Sequence, residues 1–149
     1  MQDVIDLVFG TYASWSHLVV RLVLGVIFFA HGSQKVLGWF GGYGLKGTTG
    51  YLVSTGLPLA VAYAVCFFEF LGGLGLVVGL LTRLAALAII TVMVGAIVKV
   101  HSPHGFFINW ELAPGKGHGI EANLAFIAMA VACVIAGGGA LSVDALLTH

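Results

Sequence analysis

The chain has 149 residues, of which 60% are hydrophobic and 8% are charged, and its six basic and six acidic side chains give a formal net charge of zero. Soluble domains carry about 25% charged residues, so this composition excludes an ordinary water-soluble protein and predicts an integral protein of the lipid bilayer. The balanced charge gives no reason to expect a nucleic acid partner.

Four apolar segments are long enough, or nearly long enough, to cross a membrane. A hydrocarbon core about 30 Å thick requires about 20 mostly apolar residues in a helix. The segments cover residues 15–37, 57–81, 83–101 and 120–136. An even number of spans places both termini on the same side. The sequence therefore predicts an all-α membrane protein, a single domain over residues 1–149 that forms a bundle of four transmembrane helices.

Two longer segments connect the spans on the side opposite the termini. They read GWFGGYGLKGTTGYLVSTG and SPHGFFINWELAPGKGHG, and both are rich in glycine and aromatic residues. Aromatic side chains such as Trp39 favour the headgroup layer, so we expect these loops to lie on the membrane surface or to dip into it. The orientation is left open, because the positive-inside rule depends on whether Lys35 and Lys99 are counted.

Polar residues within the spans are concentrated toward the loop side, whereas the charged residues of the opposite side are only Arg21 within a span and Arg83 at the edge of one. His31 and Lys35 are four residues apart and share a helix face. Snorkelling lysines alone would be found at both ends of the spans, so the asymmetry predicts a polar pocket that opens toward the loop side. The residues that we assign to ligand binding there are His31, Gln34, Lys35, Trp39, Lys99, His101, His104 and Glu121.

Glu69 lies near the middle of the second span, with no basic residue nearby in the sequence. A charged group inside a span costs at least about 2.5–3.5 kcal/mol, so Glu69 is expected to be either neutral or paired with another helix. An amphipathic ligand such as a quinone fits this pocket, because its carbonyl oxygens need donors and its tail needs apolar walls. Glu69, Lys35 and His31 are then the candidate catalytic residues, with Glu69 carrying protons.

Two other kinds of site fit the sequence poorly. A metal would draw on the histidines of the loop side, but no H-x-x-x-H or H-E-x-x-H pair lies on one helix. A phosphate loop requires a lysine directly after its last glycine, whereas Lys46 precedes Gly47. We therefore predict no metal site and no covalently bound cofactor.

Several motifs resemble those of the DoxX family of membrane proteins. The run HGSQKVLGWFGGYGLKGT at residues 31–48 resembles the start of that family, and GGLGLVVGLLTRLAAL after Glu69 and the later HSPHGFFINW resemble its further blocks. The resemblance implies a four-helix, multi-pass protein of the inner membrane of bacteria or archaea. The family is named after a subunit of a thiosulfate:quinone oxidoreductase. Carried over to this chain, its pattern marks His31, Gln34, Lys35, Glu69, His104 and Glu121.

The sequence is compatible with two functions of different classes. The first is a membrane subunit of a quinone-linked oxidoreductase of redox or sulfur metabolism. Since the chain has no flavin or nicotinamide motif, that role needs a partner redox subunit or the quinone itself as electron carrier. The alternative is a non-enzymatic carrier for a small solute, or a scaffold for soluble redox enzymes. Glycine-rich apolar helices also predict a homo-oligomer or a larger complex.

Overall fold

The computed structural model describes residues 2–148, and every regular element in that range is helical. The helices are α1 (Gln2–Phe9), α2 (Trp15–Val36), α3 (Gly44–Ser54), α4 (Leu59–Val78), α5 (Thr82–Ala96), α6 (Glu121–Ala136) and α7 (Val143–Leu147). A 3-10 turn, Trp39–Gly41, follows α2. After α5, the chain continues through a π-helical turn at Ile97–His101 and a 3-10 turn at Ser102–His104.

Three of these helices are long and apolar enough to cross a membrane. α2 has 22 residues, α4 has 20, and α5 together with the turns that follow it has 23. α6 lies where the fourth span is predicted, but its 16 residues extend only about 24 Å at 1.5 Å per residue. The all-helical membrane class is therefore confirmed, with three helices of full spanning length among the described residues.

The first predicted loop differs from the structure, because eleven of its residues form α3. Glycine is the poorest helix former after proline. The glycines of GLKGTTGYLVS therefore predict a loop rather than a helix. α3 packs against α2 and α4 and buries Thr48 and Thr49. The Thr49 hydroxyl donates to the Leu45 carbonyl at 2.8 Å, which satisfies it within the helix. The expected surface loop is thus a short helix fixed to the bundle.

The two ends of the bundle are defined by where the helices begin and end. The Arg21 side chain at the start of α2 reaches the last carbonyls of α4 and the Gly138 carbonyl beyond α6. The Asp144 carboxylate accepts from the backbone N–H of Thr82 at the start of α5. We call this the terminal end of the bundle. The opposite end, which holds α3 and residues 105–120, is called the loop end.

α2 and α4 form the most extensive helix contact in the bundle. A Cβ atom at Gly32 would overlap the backbone of Glu69 and Phe70, and one at Gly73 would overlap the backbone of Phe29. Small residues allow membrane helices to approach closely in this way. The two backbones therefore meet at glycines, and the spacing between α2 and α4 is fixed by them.

We expect Gly73→Ala to lower the free energy of unfolding by about 1–3 kcal/mol, the usual cost of forcing an extra methyl group into a packed interface. The atoms in its way belong to the backbone of α2 and cannot rotate aside. Thermal unfolding in detergent, followed by circular dichroism, measures this loss. Gly50→Ala in α3 is the control, because nothing lies within 4 Å of a Cβ atom there. Equal stability of the two variants would contradict glycine-mediated packing.

Candidate functional site

A cavity of about 720 Å³ lies between α2, α4, α5 and α6 in the half of the bundle nearer the loop end. Ile108 and Gly119 of the second loop contribute to its wall at that end. Most of the wall is apolar, and its larger side chains include Phe28, Val61, Val65, Phe68, Val92 and Phe126. Few polar groups interrupt this surface, so each of them bears directly on what the cavity can bind.

An ion pair between two helices forms part of the cavity wall. The Lys35 ammonium at the end of α2 donates to Glu69 Oε2 in the middle of α4, 34 residues away. Glu69 is buried, and the Lys35 side chain is 25% exposed. The missing side chain of Gly32 brings the two backbones together beside Glu69. Of the two states left open for Glu69 by the sequence, the structure shows pairing with another helix.

Two histidines line the cavity near the loop end and are oriented by backbone groups. His101 Nδ1 lies 2.8 Å from the His118 carbonyl oxygen; because a carbonyl only accepts, Nδ1 carries the hydrogen and Nε2 of the neutral ring is an acceptor. His118 Nδ1 accepts from the Asn109 N–H at 3.3 Å, so the neutral His118 ring carries its hydrogen on Nε2. The two rings therefore offer a ligand one acceptor and one donor.

The structure brings five of the predicted site residues into the cavity wall, namely His31, Lys35, Glu69, Lys99 and His101. They come from α2, α4 and the π-helical turn after α5, so the gathering of polar residues near the loop end is a property of the fold. A catalytic role for Glu69, Lys35 and His31 stays a prediction. As the partner of Lys35, Glu69 is a counterion first and a proton carrier only if the pair opens.

Four predicted residues lie outside the cavity wall. Gln34 donates to the Phe40 carbonyl at 3.3 Å, and the Glu121 carboxylate accepts from the Ile108 N–H at 3.1 Å. Trp39 is 52% exposed, and the His104 ring lies against Gly117 within the second loop. Gln34 and Glu121 thus hold the segments that close the bundle at the loop end, and ligand binding by these four residues stays a prediction.

Two residues of the cavity wall, Asn123 and His118, are not among the ligand-binding residues predicted from the sequence. Asn123 is buried in α6, and its Nδ2 lies 3.4 Å from the sulfur of Met93. His118 belongs to the second loop and reaches the wall because that loop folds back over the cavity. The signal for Asn123 was available, since an amide inside the apolar run EANLAFIAMA is costly in a membrane unless it has a use.

The donor set of the cavity suits a polar organic group better than a metal ion. Within residues 2–148, no group of three or more His, Cys, Asp or Glu side chains is arranged to hold a metal. Cys66 and Cys133 are both free and buried in separate helices. The cavity offers one ion pair, three imidazoles, a second ammonium, a hydroxyl and an amide on a mostly apolar surface. This arrangement can bind and orient an amphipathic molecule.

Comparisons with known proteins agree with these observations. The family model described as DoxX matches residues 16–102. The chain is 34% identical over 94 residues to "Putative oxidoreductase CatD" of Bacillus subtilis (strain 168); the match covers 63% of this chain and 66% of CatD, just under two thirds of that protein. "Uncharacterized membrane protein Rv3486" of Mycobacterium tuberculosis (strain ATCC 25618 / H37Rv) is 30% identical over 139 residues, 89% of this chain and 82% of the relative. No solved structure matches significantly.

The family model covers more than half of the chain. The chain therefore belongs to the DoxX family of membrane proteins.

Proposed function

We propose that the chain is an inner-membrane subunit of a quinone-linked oxidoreductase and that the cavity holds the quinone headgroup. The observation that carries this proposal is the Lys35–Glu69 ion pair in the wall of a mostly apolar cavity. Ionisable residues inside membrane helices are costly and usually mark a functional site. Similarity to the relative named "Putative oxidoreductase CatD" supports an oxidoreductase role for this chain.

In this proposal α6 is the fourth span, and both termini lie on one side of the membrane. The backbone N–H of Glu121, the first residue of α6, donates to the Phe106 carbonyl at 2.9 Å. Phe106 and Phe107 are exposed, and aromatic side chains favour the headgroup layer. A span slightly shorter than the hydrocarbon core is accommodated by local thinning of the bilayer at modest cost.

The cavity fits a quinone headgroup in size and in polarity. Its volume of about 720 Å³ falls within the about 300–1,000 Å³ that ligand sites occupy. When bound, a quinone supplies the two-electron, two-proton chemistry that the chain's own side chains lack. The Lys35 ammonium has three hydrogens, and one points to Glu69, so the others are free to donate to a ligand oxygen. Glu69 lies beside the ammonium as its counterion in the mostly apolar wall.

The loop end offers a route for protons. His118 holds a hydrogen at Nε2, and His101 presents an unprotonated Nε2 when both rings are neutral. Imidazole is the side chain best suited to take up and release a proton near neutral pH. These two residues can therefore relay protons between the loop end and the cavity. The electrons come from a partner redox subunit.

The proposal is tested by identifying the small molecules that co-purify with the protein in mild detergent. Mass spectrometry should find a quinone enriched with the wild-type protein and depleted by at least about tenfold in Glu69→Gln, because the lysine loses the charge that holds it in place. The control is Glu111→Gln, which neutralises an exposed carboxylate of the second loop outside the cavity wall.

Two results would count against the proposal. If Glu69→Gln and the wild type retain the quinone equally, the quinone headgroup does not bind in this cavity. Wild-type protein that carries no quinone would favour the scaffold, or the solute carrier if solute flux into liposomes occurs without an electron donor or acceptor.

A further inference from the structure

A second depression of about 480 Å³ lies between α4 and α5, in the half of the bundle nearer the terminal end. Its lining residues are exclusively glycine, alanine, valine, leucine and phenylalanine. Gly72 and Gly75 contribute to it where α4 faces Ala85 of α5. We call it the α4–α5 groove. It contains no group that could bind the polar part of a ligand.

The α4–α5 groove and the cavity meet along one border. Phe68 lines both of them. On α5, Ala88 lines the groove and Thr91, less than one helical turn later, lines the cavity. From Phe68 the groove follows α4 as far as Val78, a distance of about 15 Å at 1.5 Å per residue. Cavity and groove are therefore neighbouring parts of one surface that runs along the helix axes.

Polarity changes sharply at this border. The charged and hydrogen-bonding side chains, among them Lys35, Glu69 and His101, line the cavity, and none of them lines the groove. A molecule that matches both parts has a polar head toward the loop end and an unbranched or isoprenoid tail toward the terminal end. Its long axis lies parallel to α4 and α5, as a lipid lies in a bilayer.

We propose that the α4–α5 groove is the tail subsite of the ligand whose head occupies the cavity. This inference rests on the proposed function and narrows its substrate class to quinones with a long apolar tail, taken up from the bilayer. Lipid is as apolar as the groove, so the tail contributes mainly by orienting the head toward Lys35. A short-tailed, water-soluble quinone would leave the groove to lipid.

Two quinones with the same headgroup, one without a tail and one with a decyl tail, test the assignment. Ala88→Phe fills the groove at its border with the cavity, and Leu84→Trp enlarges a side chain that is 51% exposed in the groove. Ala128→Phe makes the same change as the first variant on the exposed face of α6, outside both sites. Dissociation constants are measured in one detergent, so that partitioning of the tail into micelles is the same for every protein.

The wild type and Ala128→Phe should bind the decyl quinone at least about tenfold more tightly than the tail-less one, which corresponds to about 1.4 kcal/mol. In Ala88→Phe and Leu84→Trp this ratio should fall toward the value that partitioning of the tail into micelles alone produces, while binding of the tail-less quinone is unchanged. A ratio that survives both groove variants would overturn the tail subsite and leave the proposed function standing.

Two further outcomes would also overturn the assignment. If neither quinone binds the wild type, the proposed function and the tail subsite are both wrong. If the groove variants change the oligomeric state on native mass spectrometry and leave the ratio intact, the groove is a contact between copies of the chain.

Discussion

Arg21→Met is expected to lower the free energy of unfolding by about 3–5 kcal/mol, because several buried carbonyl oxygens lose a charged hydrogen-bond donor at once. Arg21 is 1% exposed, and its guanidinium donates to the carbonyls of Leu76 at 2.6 Å and Gly138 at 2.7 Å. It thereby joins the end of α4 to the segment after α6. The last carbonyls of a helix lack partners within the helix, so its loss leaves several buried acceptors unsatisfied. Denaturant unfolding in detergent measures the change.

Arg83→Met is the matched control at the same end of the bundle. Arg83 donates to the carbonyls of Leu7 at 3.2 Å and Ile135 at 3.4 Å from a more exposed position, so we expect a loss below about 1 kcal/mol. Arg21→Lys should lie between the two, because it keeps the charge and loses the planar fork of donors. Similar losses for Arg21→Met and Arg83→Met would show that Arg21 does not hold the helices together.

Hydropathy located the long helices because the bilayer imposes a length on apolar segments. It placed α2, α4 and the helix from Thr82 close to their observed limits. The α3 helix was not predicted, because its glycines lower helix propensity and its stability comes from packing on α2 and α4. The π-helical turn at Ile97–His101 was not predicted either, since no residue pattern distinguishes it from an α-helix.

The position of the site along the helices was predictable from the sequence, but the contact partners of its side chains were not. The four-residue spacing of His31 and Lys35 indicated a polar helix face, and both residues do line the cavity. The partner of Glu69 was not readable, because it lies on another helix and is brought near by the close approach at Gly32. Gln34 and Glu121 looked equally suitable in the sequence, and only their backbone contacts distinguish them from the cavity residues.

A double-mutant cycle at the ion pair should separate its part in stability from its part in binding. We expect Lys35→Met alone to lower the free energy of unfolding by about 3–5 kcal/mol, because the Glu69 carboxylate is left without its counterion in an apolar wall. Glu69→Leu alone should cost a similar amount. The double variant Lys35→Met/Glu69→Leu should return to within about 1 kcal/mol of the wild type, since replacing a buried ion pair by apolar groups is often neutral. Thermal unfolding in detergent measures all four proteins, and Lys46→Met, at an exposed lysine of α3, is the control.

The double variant then decides whether the pair belongs to a ligand site. If Lys35 and Glu69 only held α2 to α4, the restored protein would bind the same molecules as the wild type, because the apolar walls of the cavity are unchanged. If the ammonium orients a quinone headgroup, the double variant folds and still loses at least about tenfold in affinity, the equivalent of about 1.4 kcal/mol. An additive cycle, with the double variant as unstable as the sum of the single ones, would show that the two residues are not coupled. In that case Lys35 and Glu69 would not form an energetically significant ion pair, and the proposed headgroup site would lose its main support.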